Sequence, residues 1–183
     1  MSYNIYNPIE IIKKDNNMPV SSIFCWSHII QPNINTTYFQ YIVFEQPHVC
    51  PLESGWTTAI SPGYTYPTIL ILPNSGYYLL TYKLDICSNT ITNTQSAAVL
   101  TLNGIQINGS TTLVEAFETT HTCTITNTIL VKLNTNDNIS LLFWSSYIGT
   151  QIGSSSTSLT GLLPNNTTPN QATATLTMTK ISN

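Results

Sequence analysis

Few residues in this chain have the chemistry for catalysis, and they are scattered. A nucleophilic triad needs a serine or cysteine, a histidine base and an acid that orients it. The histidines are His28, His48 and His121, and none lies in a motif. The runs "GSSS" and "NGS" are not the Gly-x-Ser-x-Gly elbow, which also needs a strand-to-helix turn. Glu115 and Glu118 are the best-placed carboxylate pair for acid–base work. They stand three residues apart, so an extended chain sends them to opposite faces. They read as solubilising charges on an edge strand. Glu45, His48, Cys50 and Glu53 bring four metal-binding side chains into nine positions, but their spacing fixes no geometry. No EF-hand pattern and no Gly-rich phosphate loop is present. The sequence thus predicts no catalytic residue, no metal and no cofactor.

Cysteines 25, 50, 87 and 123 have no CxxC spacing, which argues against zinc and thioredoxin-like chemistry. Cys25, Cys87 and Cys123 read as small core residues on strands. Cys50, between Val49 and Pro51 in an expected loop, is the candidate for a disulfide, its partner undetermined. Asn-x-Ser/Thr sequons at Asn35, Asn108, Asn138, Asn165 and Asn166 are what chance gives in a chain so rich in Asn and Thr. Trp26, Trp56, Trp144 and the tyrosines can stack on sugars, although such residues more often fill cores and interfaces.

The elements that must carry these groups follow from composition and periodicity. Charged residues make up 7% of the 183 residues, far below the roughly 25% of ordinary soluble domains. The net charge is -3, there is no arginine, and Lys13-Lys14 is the single adjacent basic pair, which argues against nucleic acid as a partner. The opening residues lack the basic and apolar regions of a secretory leader, and no run reaches membrane-spanning length. A polar, nearly uncharged, Thr/Asn-rich surface without a leader suggests a particle assembled inside a cell and later released, such as a spore or a virion.

Residues 1–20 read as an extended N-terminal arm, with Pro8 and Pro19 as breakers, and residues 21–183 as one domain. Strand patterns fill the rest: 22–30, 38–45, 57–60, 68–72, 76–87, 97–102, 113–117, 122–133, 138–145 and 172–181. No segment shows a helical period, so the fold class is all-β, a sandwich or barrel. Asn103-Gly104 predicts a tight hairpin, and Asn108-Gly109 offers a second turn. In "PNSGYYLLTYKLDI" every second residue is apolar: Tyr78, Leu80, Tyr82, Leu84 and Ile86. Tyr77 and Leu79 stand on the other face, which a monomer should keep polar. The strand at 138–145 is apolar on both faces, with Leu142 and Trp144 opposite Ile139, Leu141 and Phe143, so it is central or pressed against another subunit. The stretch Gly149–Gln171 reads as a long polar loop of the kind that carries recognition.

Pro73, Gly76, Tyr78 and Tyr82 together resemble the P-x-x-G-x-Y-x-x-x-Y core of the C1q/TNF-like jelly rolls. In order along the chain, "SAAVLTLNGIQINGSTT" is similar to the hairpin of BclA-type exosporium domains. "NTILVKLNTNDNISLLF" is similar to their strand–turn–strand unit, with Asn136 where the family usually has Gly, and "ATLTMTKIS" resembles their closing strand. The likeness spans about residues 55–182; no collagen-like stalk precedes it, and residues 1–54 match no pattern. Similar heads occur on giant-virus particles.

This resemblance implies a ten-stranded jelly-roll β-sandwich of two antiparallel sheets that forms trimers through strand tyrosines and aliphatics. On that footing Tyr77, Leu79, Leu142 and Trp144 are the expected subunit contacts. The leading expectation is a non-enzymatic structural subunit of a spore or virion surface, partnered by copies of itself and by neighbouring coat or capsid proteins. The second is a receptor- or carbohydrate-binding head.

Overall fold

The computed structural model describes residues 21–50, 55–88, 94–115, 122–153 and 172–182, with the backbone alone at 46–50 and 122. The proposed arm and residues 154–171 of the proposed recognition loop lie outside that set. All regular structure among the described residues is strand: β1 (Ser22–Ser27), β2 (Gln31–Pro32), β3 (Gln40–Tyr41), β4 (Gln46–Cys50), β5 (Thr57–Ala59), β6 (Ile69–Ile71), β7 (Gly76–Ser88), β8 (Gln95–Leu102), β9 (Ile105–Gln106), β10 (Thr112–Glu115), β11 (Thr122–Leu133), β12 (Asn138–Ser145), β13 (Thr150–Ile152) and β14 (Ala174–Ser182). No helix among these residues is long and apolar enough to cross a membrane.

The strands form two antiparallel sheets. One runs β4-β1-β14-β7-β11, with β13 and β2 continuing beside β7 past the end of β14. The other runs β5-β6-β12-β8-β10, with β3 on β12 and β9 on β8. Numbering the eight main strands β1, β6, β7, β8, β10, β11, β12 and β14 from one to eight gives sheet orders 1-8-3-6 and 2-7-4-5. That is the winding of a jelly roll. The expected all-β, two-sheet jelly roll is therefore the observed fold.

Alternation along β7 builds the core. Tyr78, Leu80, Tyr82, Leu84 and Ile86 are all fully buried, facing Leu100, Leu141 and Phe143 of the opposite sheet. Gly76 opens the strand at φ 155°, and a Cβ there would overlap the Ser182 carbonyl oxygen, so glycine is needed for the approach of β14. Tyr78 donates its hydroxyl to the Asn74 carbonyl at 2.6 Å, and the Trp56 ring stands edge-on to it at 5.9 Å. Trp56 in turn donates its indole N–H to Ser21 Oγ at 2.7 Å.

Tyr82 ties the two sheets together. Its hydroxyl lies 2.7 Å from the Ser110 carbonyl, 3.1 Å from Thr112 Oγ1 and 3.3 Å from the Ala98 carbonyl. The single phenolic proton suits the Ser110 carbonyl, and the Thr112 hydroxyl can donate back. Burial pushes the phenol's pKa up, and hydrogen bonds from Thr112 and Asn127 draw it partly down.

Turns close where the sequence places them. Asn103 and Gly104 hold φ of 52° and 81° between paired Leu102 and Ile105, which is the hairpin turn that Asn-Gly favours. Asn136 takes φ 67°, so asparagine occupies the left-handed position that glycine would fill.

The structure corrects several boundaries. The expected strands at 22–30 and 38–45 shorten to β1 and the two-residue β3, because the chain bends through 28–39. Residues 46–50, expected as a loop holding His48 and Cys50, form β4 against β1. Pro47 obscured this strand, yet β4 is a sheet edge, where a missing N–H is tolerated. Thr150–Ile152, expected as loop, is β13. Cys25 and Cys87 are buried, but Cys123 is half-exposed at the start of β11. Among the described residues fourteen strand segments stand where ten were expected, the additional ones being short.

The fold makes a direct prediction. Tyr82→Phe should lower the unfolding free energy by about 1–2 kcal/mol, because it strips a buried carbonyl of its partner. Urea unfolding should show a lower midpoint with an unchanged slope. An unmoved midpoint would show that the inter-sheet hydroxyl contributes nothing.

Candidate functional site

Among the described residues, the side chains with catalytic chemistry do not gather into one cluster. His28, Ser27 and Glu45 meet, but in the wrong order for a triad. Glu45 Oε2 accepts from Ser27 Oγ at 3.3 Å, from the backbone N–H groups of His28 and Ile29 at 2.9 and 3.2 Å, and lies 3.0 Å from His28 Nδ1. Serine and histidine thus both hang on the carboxylate, and the histidine does not serve the serine as base. The carboxylate instead satisfies the backbone where the chain leaves β1. Sequence reasoning weighed Glu45 as a metal ligand and missed this role.

Glu115 is exposed on β10 and accepts from Gln95 Nε2 at 3.0 Å. Glu118, His121, Glu53 and the side chains of His48 and Cys50 lie outside the described residues. Cys25, Cys87 and Cys123 are free thiols. Among the described residues no three His, Cys, Asp or Glu side chains gather as metal ligands.

The four expected contact residues separate onto opposite outer faces of the sandwich. Tyr77 and Leu79 project from β7 on the outside of the first sheet. The registers β11–β7–β14–β1 place Leu130 opposite Leu79 on one side and Thr179 on the other, with Phe24 opposite Thr177 one strand further on. Relative exposures are 40% for Tyr77, Leu79 and Phe24, 59% for Leu130 and 52% for Ile181, which lies at the bulge of β14. Lys132 Nζ sits 5.8 Å from the centre of the Tyr77 ring. The patch is apolar toward the Gly76 end of β7. It becomes polar toward the other end, where Lys83 Nζ meets Asp85 Oδ2 at 2.8 Å and Thr124 Oγ1 donates to Asp85 Oδ1 at 2.7 Å. Phe24, Leu130 and Ile181 escaped the sequence reading. The signal for Leu130 was available: Ile129-Leu130-Val131 is apolar on both faces of β11, as Leu142 and Trp144 make β12.

Leu142 and Trp144 project from the other sheet, and the chain covers them itself. Leu142 is half-buried between Tyr41 of β3 and Val99 of β8. Trp144 donates its indole N–H to the Thr36 carbonyl at 2.8 Å, and its ring lies 6.4 Å from Phe39. Two apolar faces on one strand are here explained within one subunit, by the bend that carries residues 33–41 across β12.

Beside that bend lies an open cleft of about 280 Å³ lined by Ile29–Pro32, Ile34, Tyr41 and the Gly63–Tyr66 loop. Tyr64 stands edge-on to Tyr41 at 5.7 Å and takes the Tyr41 N–H on its hydroxyl at 3.1 Å. The amides nearby are committed internally: Gln31 to Ser27 and Val43, Gln40 to Pro32 and Ile34. What the cleft presents is therefore aromatic and aliphatic surface.

No family model matches this chain, and no curated protein matches it. Among solved structures it is similar to crystal structures of murine APRIL at pH 8.0 and pH 8.5. Each is 12% identical and covers 88% of this chain and 98% of that chain, with TM-scores of 0.48 and 0.47. Sequence identity so low assigns no role to any residue, and the jelly-roll assignment rests on the strand order itself.

The thiols supply a test of the inner face of β1. Burial pushes the Cys25 thiol up to about 12, from the 9.0 of an exposed cysteine. Between those values the folded chain holds a proton that the unfolded chain has released, so stability falls as pH rises above about 9. Cys25 should resist iodoacetamide at pH 8 until denaturant is added, and the urea midpoint should drop from pH 9 upward. Mass-mapped alkylation of Cys25 in the folded protein would contradict this.

Proposed function

We propose that this chain is a non-enzymatic jelly-roll building block that joins copies of itself through the outer face of the β4-β1-β14-β7-β11 sheet. The observation that carries the reading is the patch of Tyr77, Leu79, Leu130 and Ile181, with Phe24 nearby, on a face that a monomer would keep polar. Lys132 borders the patch over the Tyr77 ring and the Lys83–Asp85 pair lies toward the far end of the face, so association through the apolar residues can leave these charges at the rim. A closed ring needs two different complementary surfaces on each subunit. The bend beside the second sheet leaves Tyr38 and Phe39 exposed, so a three-membered ring has material for both halves of a heterologous contact. The motif resemblance, the low charge and the Thr-rich outer rows support a place on the surface of a particle such as a spore or virion, beside other coat proteins.

Light-scattering mass after gel filtration tests this. The wild-type chain should run at three times its 20.2 kDa. A Leu79→Glu/Leu130→Glu variant should run as a monomer with an unchanged far-UV spectrum. A monomeric wild type, or a variant that keeps the oligomeric mass, would sink the proposal.

The cleft favours a second reading, a binding head for a carbohydrate. Tyr66 is exposed at its rim, and aromatic faces with free edges suit sugar rings. A glycan array should then show signals that Tyr66→Ala removes, and an array blank for the oligomeric wild type would end it.

A further inference from the structure

The inward faces of the strands change character at one end of the sandwich. Along β7 the core residues run Tyr78 to Ile86 and then stop at Ser88. Along β12 they run Ile139, Leu141, Phe143 and then Ser145. In β8, Leu100 and Ala98 give way to Ser96, with Thr94 just before the strand. In β13, Ile152 is preceded by Thr150. Each of these hydroxyl residues keeps the inward parity of its strand and is buried, at most 2% exposed.

Registers put them together. Thr150 pairs with Ser88 in the first sheet, and Ser96 pairs with Ser145 in the second. Ser145 Oγ donates to Thr150 Oγ1 at 2.9 Å, joining the two sheets. Asn33 fills the remaining side. Its amide nitrogen donates to the Ser145 and Tyr147 carbonyls at 3.0 and 2.9 Å, and its backbone N–H donates to the Thr150 carbonyl at 2.8 Å.

Those bonds leave four buried oxygens without a partner: Asn33 Oδ1, Ser88 Oγ, Thr94 Oγ1 and Ser96 Oγ. Unpaired buried polar atoms are rare in native proteins, because each forfeits its hydrogen bonds to water on folding. Their gathering at one level, around a hydroxyl pair that already bridges the sheets, is what a small internal ligand with both donors and acceptors would satisfy. We propose that this end of the sandwich is a water-binding chamber, in which one or more ordered internal waters bridge the two sheets through these four oxygens. The chemistry selects water over a cation. All the oxygens are neutral, and divalent ions draw on carboxylates. Three of the four belong to hydroxyls that can also donate, and an internal water typically makes about three hydrogen bonds.

Water-¹⁷O relaxation dispersion on the wild type should show a water with a residence time longer than molecular tumbling. A Ser88→Ala/Ser96→Ala variant should lose about half of that amplitude or more, since it removes two of the four ligands. A wild type without dispersion, equal amplitude in the variant, or a signal that depends on added Na⁺ or K⁺ would overturn the proposal. A high-resolution crystal structure of the wild type decides the matter even if the variant does not fold. Water within 3.2 Å of at least two of the four oxygens supports the chamber, whereas rotated side chains pairing with one another refute it.

Discussion

The structure depends on β7 being hydrogen-bonded along both edges while its inward face fills the core. β11 pairs with it from Cys87 to Gly76, and β14 followed by β13 occupies the other edge. A strand held on both sides cannot slip by one residue without turning Tyr78, Leu80, Tyr82, Leu84 and Ile86 out of the core together. The position of β7 therefore sets the register of its sheet. Tyr82 extends that control to the second sheet, because its hydroxyl reaches the β9–β10 turn. The cost of the arrangement is a crowded start, which only a glycine at position 76 accommodates.

This dependence explains how function distributes over the molecule. With the inner face committed to the core, β7 has its outer face to offer. That face is divided, apolar toward the Gly76 end and carrying a lysine–aspartate–threonine cluster toward the other. The second sheet makes the opposite choice, turning residues 33–41 back over β12 so that its tryptophan is partnered within the chain. The two halves of the molecule thus differ in what they leave for others to cover.

How legible this was in the sequence varied with the range of the physics. Long alternating strands were plain: 122–133 and 138–145 were read to the residue, and the Asn103-Gly104 turn carried its own signature. Short edge pairings were not. β4 was hidden by Pro47, and β13 by the Gly and Thr around it, since neither is long enough to show a period. The opposite placement of Tyr77 with Leu79 and of Leu142 with Trp144 could not be read locally, because it depends on which sheet each strand joins. The covering of Trp144 depended on a bend in residues 33–39. Glu45 gave no motif at all, because its partners are backbone N–H groups some seventeen positions away.

The two ends of the sandwich are fastened by different means. At the Gly76 end, Asn136 and Asp137 exchange backbone bonds with Leu72, and Asn103 clasps Asp137 and Asn138 through both its side-chain and backbone groups. Those bonds are direct and draw three turns into a single knot. At the Ser88 end, hydroxyls replace aliphatic contacts. The asparagine knot therefore fixes the rim of the second sheet, where β6, β8 and β12 end together, whereas at the Ser88 end the Ser145–Thr150 bond runs directly from sheet to sheet. The exposed apolar patch lies toward the knotted end, so the surface best suited to hold a neighbour is bordered by turns that are bonded to one another.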